Sequence, residues 1–271
     1  MECFGINWQI GRPWGNYHPE HICWNAPESI VRGQGRIGLG VDYNPMEISV
    51  PGYINQDAED PDDLHRKLYP WSVGYLTSLD TFKYGYFRMS FRLPIGNHLW
   101  PAIWLSDSRT WPPEVDIMEG WTGYYGWQVF KPKSARRMYR TNPVADRIFP
   151  SVHIGTDPAE HTARSYRRLG GTPVCYLDIT GNNICEFIWS PDRMVIYYNK
   201  HKVMEETDPE ILRYYNECHG MKIHLNNYVT NDFTMADFRQ MESAEDKGFC
   251  RWFYIYDVRY DPDYELYSEK M

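Results

Sequence analysis

Apolar and polar residues alternate along most of the chain, and they do so in short runs closed by turn residues. Gly74 to Ser78, Phe82 to Phe91, Ser151 to Gly155, Met221 to Val229 (MKIHLNNYV) and Trp252 to Tyr260 (WFYIYDVRY) each read as a strand. Cys23-Trp24-Asn25, then Ile30-Val31 and Gly33 to Val41, read as a strand, a turn and a second strand. Leu177 to Ile179, the Gly181-Asn182-Asn183 turn and Cys185 to Trp189 predict a hairpin, and Ser190-Pro191-Asp192 turns it into the half-buried strand Arg193 to Tyr198. Only Asp208 to Tyr215 suggests a short helix. The first 30 residues, rich in Trp, Pro, Gly and His, have weak periodicity and are expected to wrap an edge. No repeat, linker or low-complexity stretch divides the chain, so the pattern predicts an all-β fold in one domain, residues 1–271: a two-sheet β-sandwich of jelly-roll type.

One run breaks the rule for buried strands. Glu114-Val115-Asp116-Ile117-Met118-Glu119 places three carboxylates on an otherwise apolar strand preceded by Pro112-Pro113. In a regular strand Glu114 and Asp116 share a face while Glu119 points to the other. One extra residue at Ile117-Met118, a β-bulge, returns Glu119 to the face of the first two. The outer acids then stand about 13 Å apart at Cα, at ~3.3 Å per residue, and their side chains can lean toward one bond. Retaining glycosidases hold two carboxyl groups about 5 to 5.5 Å apart, one as nucleophile and one as acid then base. Three acids on one face repel, so at least one is expected to keep a proton, and Asp116 can steady the nucleophile through a hydrogen bond.

The motif alone is common, and a solvated acidic edge or a carboxylate calcium site would also fit it. Its surroundings raise the catalytic reading: Trp100, Trp104, Trp111 and Trp121 lie close by in sequence, and aromatic faces are what sugar rings stack on. The stretch resembles the catalytic segment of glycoside hydrolase family 16. Leu93-Pro94-Ile95-Gly96, Trp100-Pro101-Ala102-Ile103-Trp104-Leu105 and Pro113 to Glu119 match the family's LPxG, WPAxWL and PEIDIME run nearly residue for residue. By that resemblance Glu114 is the nucleophile, Asp116 its helper and Glu119 the acid/base, on a concanavalin A-like jelly roll with its groove across the concave sheet. Trp104 would line the subsite of the reacting sugar, with Trp100 and Trp111 beside it, and His153, in a stretch similar to the family's S-x-H-x-G, would lie near the leaving group. Trp24 and Asn25, in a stretch similar to the family's opening hairpin, become candidates further along the groove, although Trp24 could equally plug one end of the core. Tyr84-Gly85-Tyr86-Phe87 also matches, but Arg88 stands where the family usually has Glu and Ser90 where it has Arg, at positions expected beside the groove.

Composition narrows the function further. A net charge of -8 argues against a nucleic-acid binder, and no apolar run reaches the ~18 residues of a membrane span. The N-terminus lacks a basic region followed by an apolar core, so no signal peptide is read, although an enzyme of this kind is expected to act outside the cell or after release. The six cysteines form no C-x-x-C pair, which disfavours zinc. Cys175 and Cys185 flank the predicted hairpin within reach of pairing, but buried free thiols are favoured. Asp57 to Asp63 holds five acids in what reads as a solvated loop. Carboxylate chemistry requires no cofactor. The resemblance leaves room for a structural calcium, for which the sequence offers no ligand set.

Against the acidic background, Trp121 to Phe149 carries Lys131, Lys133, Arg136, Arg137, Arg140 and Arg147, and His161 to Arg168 adds Arg164, Arg167 and Arg168. Such local fields concentrate anions, and Arg grips sulfate or carboxylate in a forked geometry. Arg136 and Arg137 are therefore substrate-binding candidates. The expectation is a monomeric, endo-acting, retaining hydrolase of an anionic or sulfated galactan of the agar, porphyran or carrageenan type. An endo-β-1,3-glucanase is the alternative, and a non-catalytic jelly-roll lectin is the rival of another class.

Overall fold

A computed structural model describes residues 1–122, 148–169, 172–173, 176–178, 181–243 and 250–270. Two large sheets face each other. One has eight strands, in the order Glu2–Cys3, Ile6–Ile10, Tyr75–Ser78, Met221–Val229, Leu99–Asp107, Glu114–Gly120, Ile148–Ile154 and Thr162–Ser165. The other has seven, in the order His201–Glu206, Arg193–Tyr198, Asn183–Ser190, Gly85–Arg92, Phe253–Asp261, Arg36–Leu39 and Ile30–Gly33. Between them lies one apolar core, in which Ile103, Leu105, Val115 and Val152 from the first sheet meet Phe87, Met89, Phe187 and Ile196 from the second, all fully buried. This is the jelly-roll sandwich that the alternation predicts.

A third sheet of three strands was not legible as such. Val41–Ser49 and Cys23–Asn25 flank Arg66–Val73, the latter pairing in parallel. Its strands leave the large sheets at Gly40 and Gly74, whose backbones bond to each other (2.9 Å). A Cβ on Gly74 would lie 2.7 Å from the Leu39 backbone, so the corner needs glycine there. The register shifts between Tyr43 and Met46, around Pro45, which has no N–H to offer a ladder.

In the hairpin expected from Leu177 to Trp189, the described residues of the first arm, Leu177 and Asp178, form no strand, and Ile179 lies outside the described residues. The side chain of Asn183 instead accepts from Asp178 N and donates to Asp178 O, both at 2.6 Å, replacing the ladder locally. Cys185 to Trp189 pairs with Gly85–Arg92 and with Arg193–Tyr198. Cys185 is a buried free thiol, as are Cys23 and Cys218; Cys175 lies outside the described residues. Arg88, expected beside the groove, belongs to the seven-stranded sheet and pairs with Asp257 at 3.2 Å. Ser90 is on the same strand. The helix expected near Asp208 runs Pro209–Glu217, capped by the Asp208 carboxylate and with Pro at its first turn. A second helix, Met235–Ser243, follows.

Candidate active site

The bulge falls at Ile117-Met118. Against Leu99–Asp107 the register passes from Trp104↔Asp116 to Ile103↔Met118, leaving Ile117 over. Against Ile148–Ile154 it passes from Asp116↔Ser151 to Glu119↔Phe149, so Ile117 and Met118 together oppose Pro150. Proline suits that place because the ladder is already interrupted there. Ile117 and Met118 both turn into the core, fully buried, and the hydroxyl of Tyr198, from the opposite sheet, donates to the Ile117 carbonyl at 2.7 Å. Two consecutive inward residues are what bring Glu114, Asp116 and Glu119 onto one face.

That face is the outer side of the eight-stranded sheet. Glu114, Asp116 and Glu119 line a cavity of 390 Å³ together with Trp100, Trp104, Trp111 and His153. A second hollow of 490 Å³ shares Trp100 and His21 with it and continues past Trp121. The pair makes a groove longer than a single sugar.

Each acid has an indole or an imidazole as neighbour. Trp111 Nε1 donates to Glu114 Oε2 (2.9 Å), and Trp100 Nε1 donates to Glu119 Oε1 (3.0 Å). Asp116 accepts from the Ser151 hydroxyl, and His153 Nε2 lies 3.1 Å from its Oδ2 and 3.7 Å from Glu114 Oε1. Tyr215, on the capped helix, donates to the backbone carbonyl of Glu114 (2.5 Å), bracing the strand from behind. Trp104 donates to Asn226 Oδ1 (2.7 Å) and stacks on His224, ring centroids 4.0 Å apart. His224 is held between the Tyr75 and Ser106 hydroxyls, and burial pulls its pKa down to about 3. The floor under Trp104 is therefore neutral and fixed.

Electrostatics follow from this packing. Burial, then the charge of Asp116, pushes Glu114 well above the usual carboxylate range, while the Trp111 N–H opposes the rise. Glu119 is pushed up by burial, then by Asp116 and Glu114, with His153 and Trp100 opposing. Burial pulls His153 down, but the bond and charge of Asp116 and the charge of Glu119 leave it raised overall. Two carboxyls with elevated pKa on either side of a third acid cannot easily ionise together, so the site can hold one as an acid while its partner is charged. Glu114, Asp116 and His153 also bring three ligand-type atoms within 4.8 Å of one another, the one such group found among the described residues. A cation there would compete for the atoms that bond the three side chains together.

Of the other expected site residues, Trp24 and Asn25 do not line the groove. Trp24 is buried in a separate cluster with Ala26, Val50 and Tyr69, its N–H on Asn44 O (2.8 Å); it plugs the third sheet. Asn25 lies fully buried beneath the hydroxyl of Tyr228 (3.0 Å). Arg136 and Arg137 lie outside the described residues, as do the other cations from Lys131 to Arg147. Arg164 turns away: it sits opposite Val152, a core residue, and pairs with Glu206 (2.9 Å) and Asp208 (3.4 Å). Arg167 lies over the Phe149 ring. In their place the groove takes residues the sequence reading did not single out: Arg12, Trp14, His18, His21, Tyr75, Asn226 and Tyr228. Asn226 and Tyr228 were legible from alternation in Met221–Val229, where they share a face with His224. Arg12 to His21 were not, because that segment has no period.

No family model matches the chain. Among curated proteins it is similar to the endo-1,3-1,4-beta-glycanase EglC of Rhizobium meliloti (strain 1021), 43% identical over 144 residues. Those residues are 52% of this chain and 25% of that protein, so the chain matches about a quarter of its relative's length. Among solved structures it resembles porphyranase B of Zobellia galactanivorans (TM-score 0.62, 15% identity, 94% of this chain and 85% of that one). It also resembles the GH16 protein of the Bacteroides ovatus mixed-linkage glucan PUL (TM-score 0.58, 17% identity, 96% and 98%). The structural likenesses give the fold, and the sequence match ties half of the chain to a curated glycanase. The bulged carboxylate strand adds to these likenesses the arrangement that the resemblance to glycoside hydrolase family 16 leads one to expect.

Proposed function

We propose that the chain is an endo-acting, retaining glycoside hydrolase that cuts β-linkages inside a polysaccharide by double displacement. The observation that carries this reading is the bulge at Ile117-Met118, which sets Glu114, Asp116 and Glu119 on one face of a groove floored by Trp100, Trp104 and Trp111. Glu119, protonated, gives its proton to the leaving oxygen while the Glu114 carboxylate attacks the anomeric carbon and the glycosidic C–O bond breaks. Water, deprotonated by Glu119, then opens the glycosyl ester and returns Glu114 to its carboxylate. Asp116, bonded to Ser151 and His153, holds the orientation of the nucleophile. These steps use the chain's own side chains, and a structural calcium elsewhere would be compatible with them.

The substrate we favour is an anionic or sulfated galactan. Support comes from the cation-rich stretch Lys131 to Arg147 and from the fold shared with a porphyranase. The second reading, a neutral β-1,3- or mixed-linkage glucan, is favoured by the identity to a curated endo-1,3-1,4-beta-glycanase. New reducing ends from laminarin, lichenan, agarose, porphyran, carrageenan and mucin glycans decide between them, and strong cleavage of laminarin alone would reject the galactan. Glu114→Gln is expected to lower turnover by roughly 10³-fold or more, about 4 kcal/mol of barrier, with melting temperature and polysaccharide binding retained. Near-normal rates in that variant would remove the role assigned to Glu114.

A further inference from the structure

The groove contains a buried cation, Arg12, that no carboxylate of the described residues reaches at ion-pair distance. Arg12 is 6% exposed and lines the same cavity as Glu114 and Glu119. Its Nε donates to the Tyr228 hydroxyl, which in turn donates to Asn25 Oδ1. The guanidinium lies over the rings of Tyr228 and Tyr75, 4.9 and 5.9 Å from their centroids. Its Nη2 reaches His21 Nδ1 only at 3.5 Å, and its Nη1 has no hydrogen-bond partner among the described residues. None of the ion pairs among those residues includes it, whereas the more exposed Arg88, Arg164, Arg251 and Arg259 each have a carboxylate. Two aromatic faces and a hydroxyl hold the guanidinium in place and offset part of its desolvation, but they do not neutralise it. A buried charge with a free forked edge opening into a ligand groove is the arrangement that receives an oxyanion.

We propose that Arg12 and His21 form a subsite for one anionic substituent, a sulfate or a carboxylate, carried by a sugar next to the cleaved bond. This rests on the glycosidase reading and gives it a specificity residue. Burial, then the charge of Arg12, pulls His21 down to about 4, so near neutrality its ring is uncharged. With Nδ1 accepting from Arg12, the Nε2–H is left to donate to the same anion. Lys67 pins the segment by donating to the backbone oxygens of Pro19 and His21. One cation fits one anionic group per subsite, and the source of that group is set by the polymer.

The test is binding by the Glu114→Gln chain to two matched polymer pairs: agarose against porphyran for sulfate, and laminarin against its C6-oxidised, carboxylate-bearing form for carboxylate. The expected result is a preference of tenfold or more for the charged member of one pair, weakening steeply with salt. Arg12→Gln is expected to abolish that preference with the neutral member bound as before, and Arg12→Lys to restore part of it. Tyr228→Phe, which removes the hydroxyl that Arg12 leans on, is expected to reduce it too. If Arg12→Gln weakens both members of a pair equally, Arg12 only braces Tyr228 and the proposal falls. It also falls if the Glu114→Gln chain with Arg12 intact prefers neither charged polymer, a result that needs no substitution at Arg12. Failure of the unmodified chain to release reducing ends would instead sink the glycosidase reading, and the binding comparison would stand apart from it.

Discussion

Two indoles tune the two outer acids. Each donates to one carboxylate, and an N–H aimed at the charged form lowers the pKa that burial raises. Trp100→Phe keeps a ring for stacking and removes the donor to Glu119, whose pKa then rises further. A general acid works only while protonated, so activity is lost as pH rises through its pKa, and the alkaline limb of the kcat/KM profile is expected to move to higher pH in this variant. The peak value is expected to fall roughly tenfold, about 1.4 kcal/mol. An alkaline limb that stays in place would show that Glu119 is not the proton donor. At this scale the sequence was legible where chemistry and periodicity coincided: the three acids, Trp100, Trp104, Trp111 and His153 all face the groove. Arg12 escaped because nothing within the aperiodic first 30 residues marks which side chain folds inward. Trp24 misled because an indole beside a strand is as useful to a core as to a sugar.

The bulged strand is held from three sides. Tyr215 grips the carbonyl of Glu114 at its start, Ser151 and His153 grip Asp116 at its middle, and Tyr198 crosses the core to the carbonyl of Ile117. Removing the last of these leaves a buried acceptor without its donor. Tyr198→Phe is expected to destabilise the fold by about 1 to 3 kcal/mol in chemical denaturation. It is also expected to lower kcat more than it raises KM, because Glu119 follows directly on the bulge. Unchanged stability would mean that the carbonyl is satisfied by other means. The bulge could be read from the acids alone, since their spacing makes sense on one face only with an extra residue. The brace from Tyr198 could not, because it joins positions 81 residues apart across the two layers.

Over the whole molecule, the sandwich packs its apolar contacts between the two large sheets and sets Glu114, Asp116 and Glu119 on the outer face of one of them. Holding Glu119 in that face costs stability. Its folded-state pKa is raised, so the fold favours the protonated form; that contribution is complete below the unfolded value and is lost as pH rises through the folded one. Glu119→Gln, neutral at every pH, is expected to melt about 2 to 4 °C above the parent near pH 8 and to gain little at pH 4. Equal gains at both would assign the effect to packing. The two large sheets were legible from alternation, while the three-stranded sheet was not, because its long-range and partly parallel pairings leave no local trace.

Pro150, facing Ile117 and Met118, also guards the assembly of the sandwich. Were this strand to zip up one place out of step, an imino acid with nothing to donate would meet a carbonyl that needs a donor, and carboxylates would be driven into oil. Faulty assembly at this edge is penalised twice over, so the feature that aims the acids also proofreads the register of the sheet that carries them.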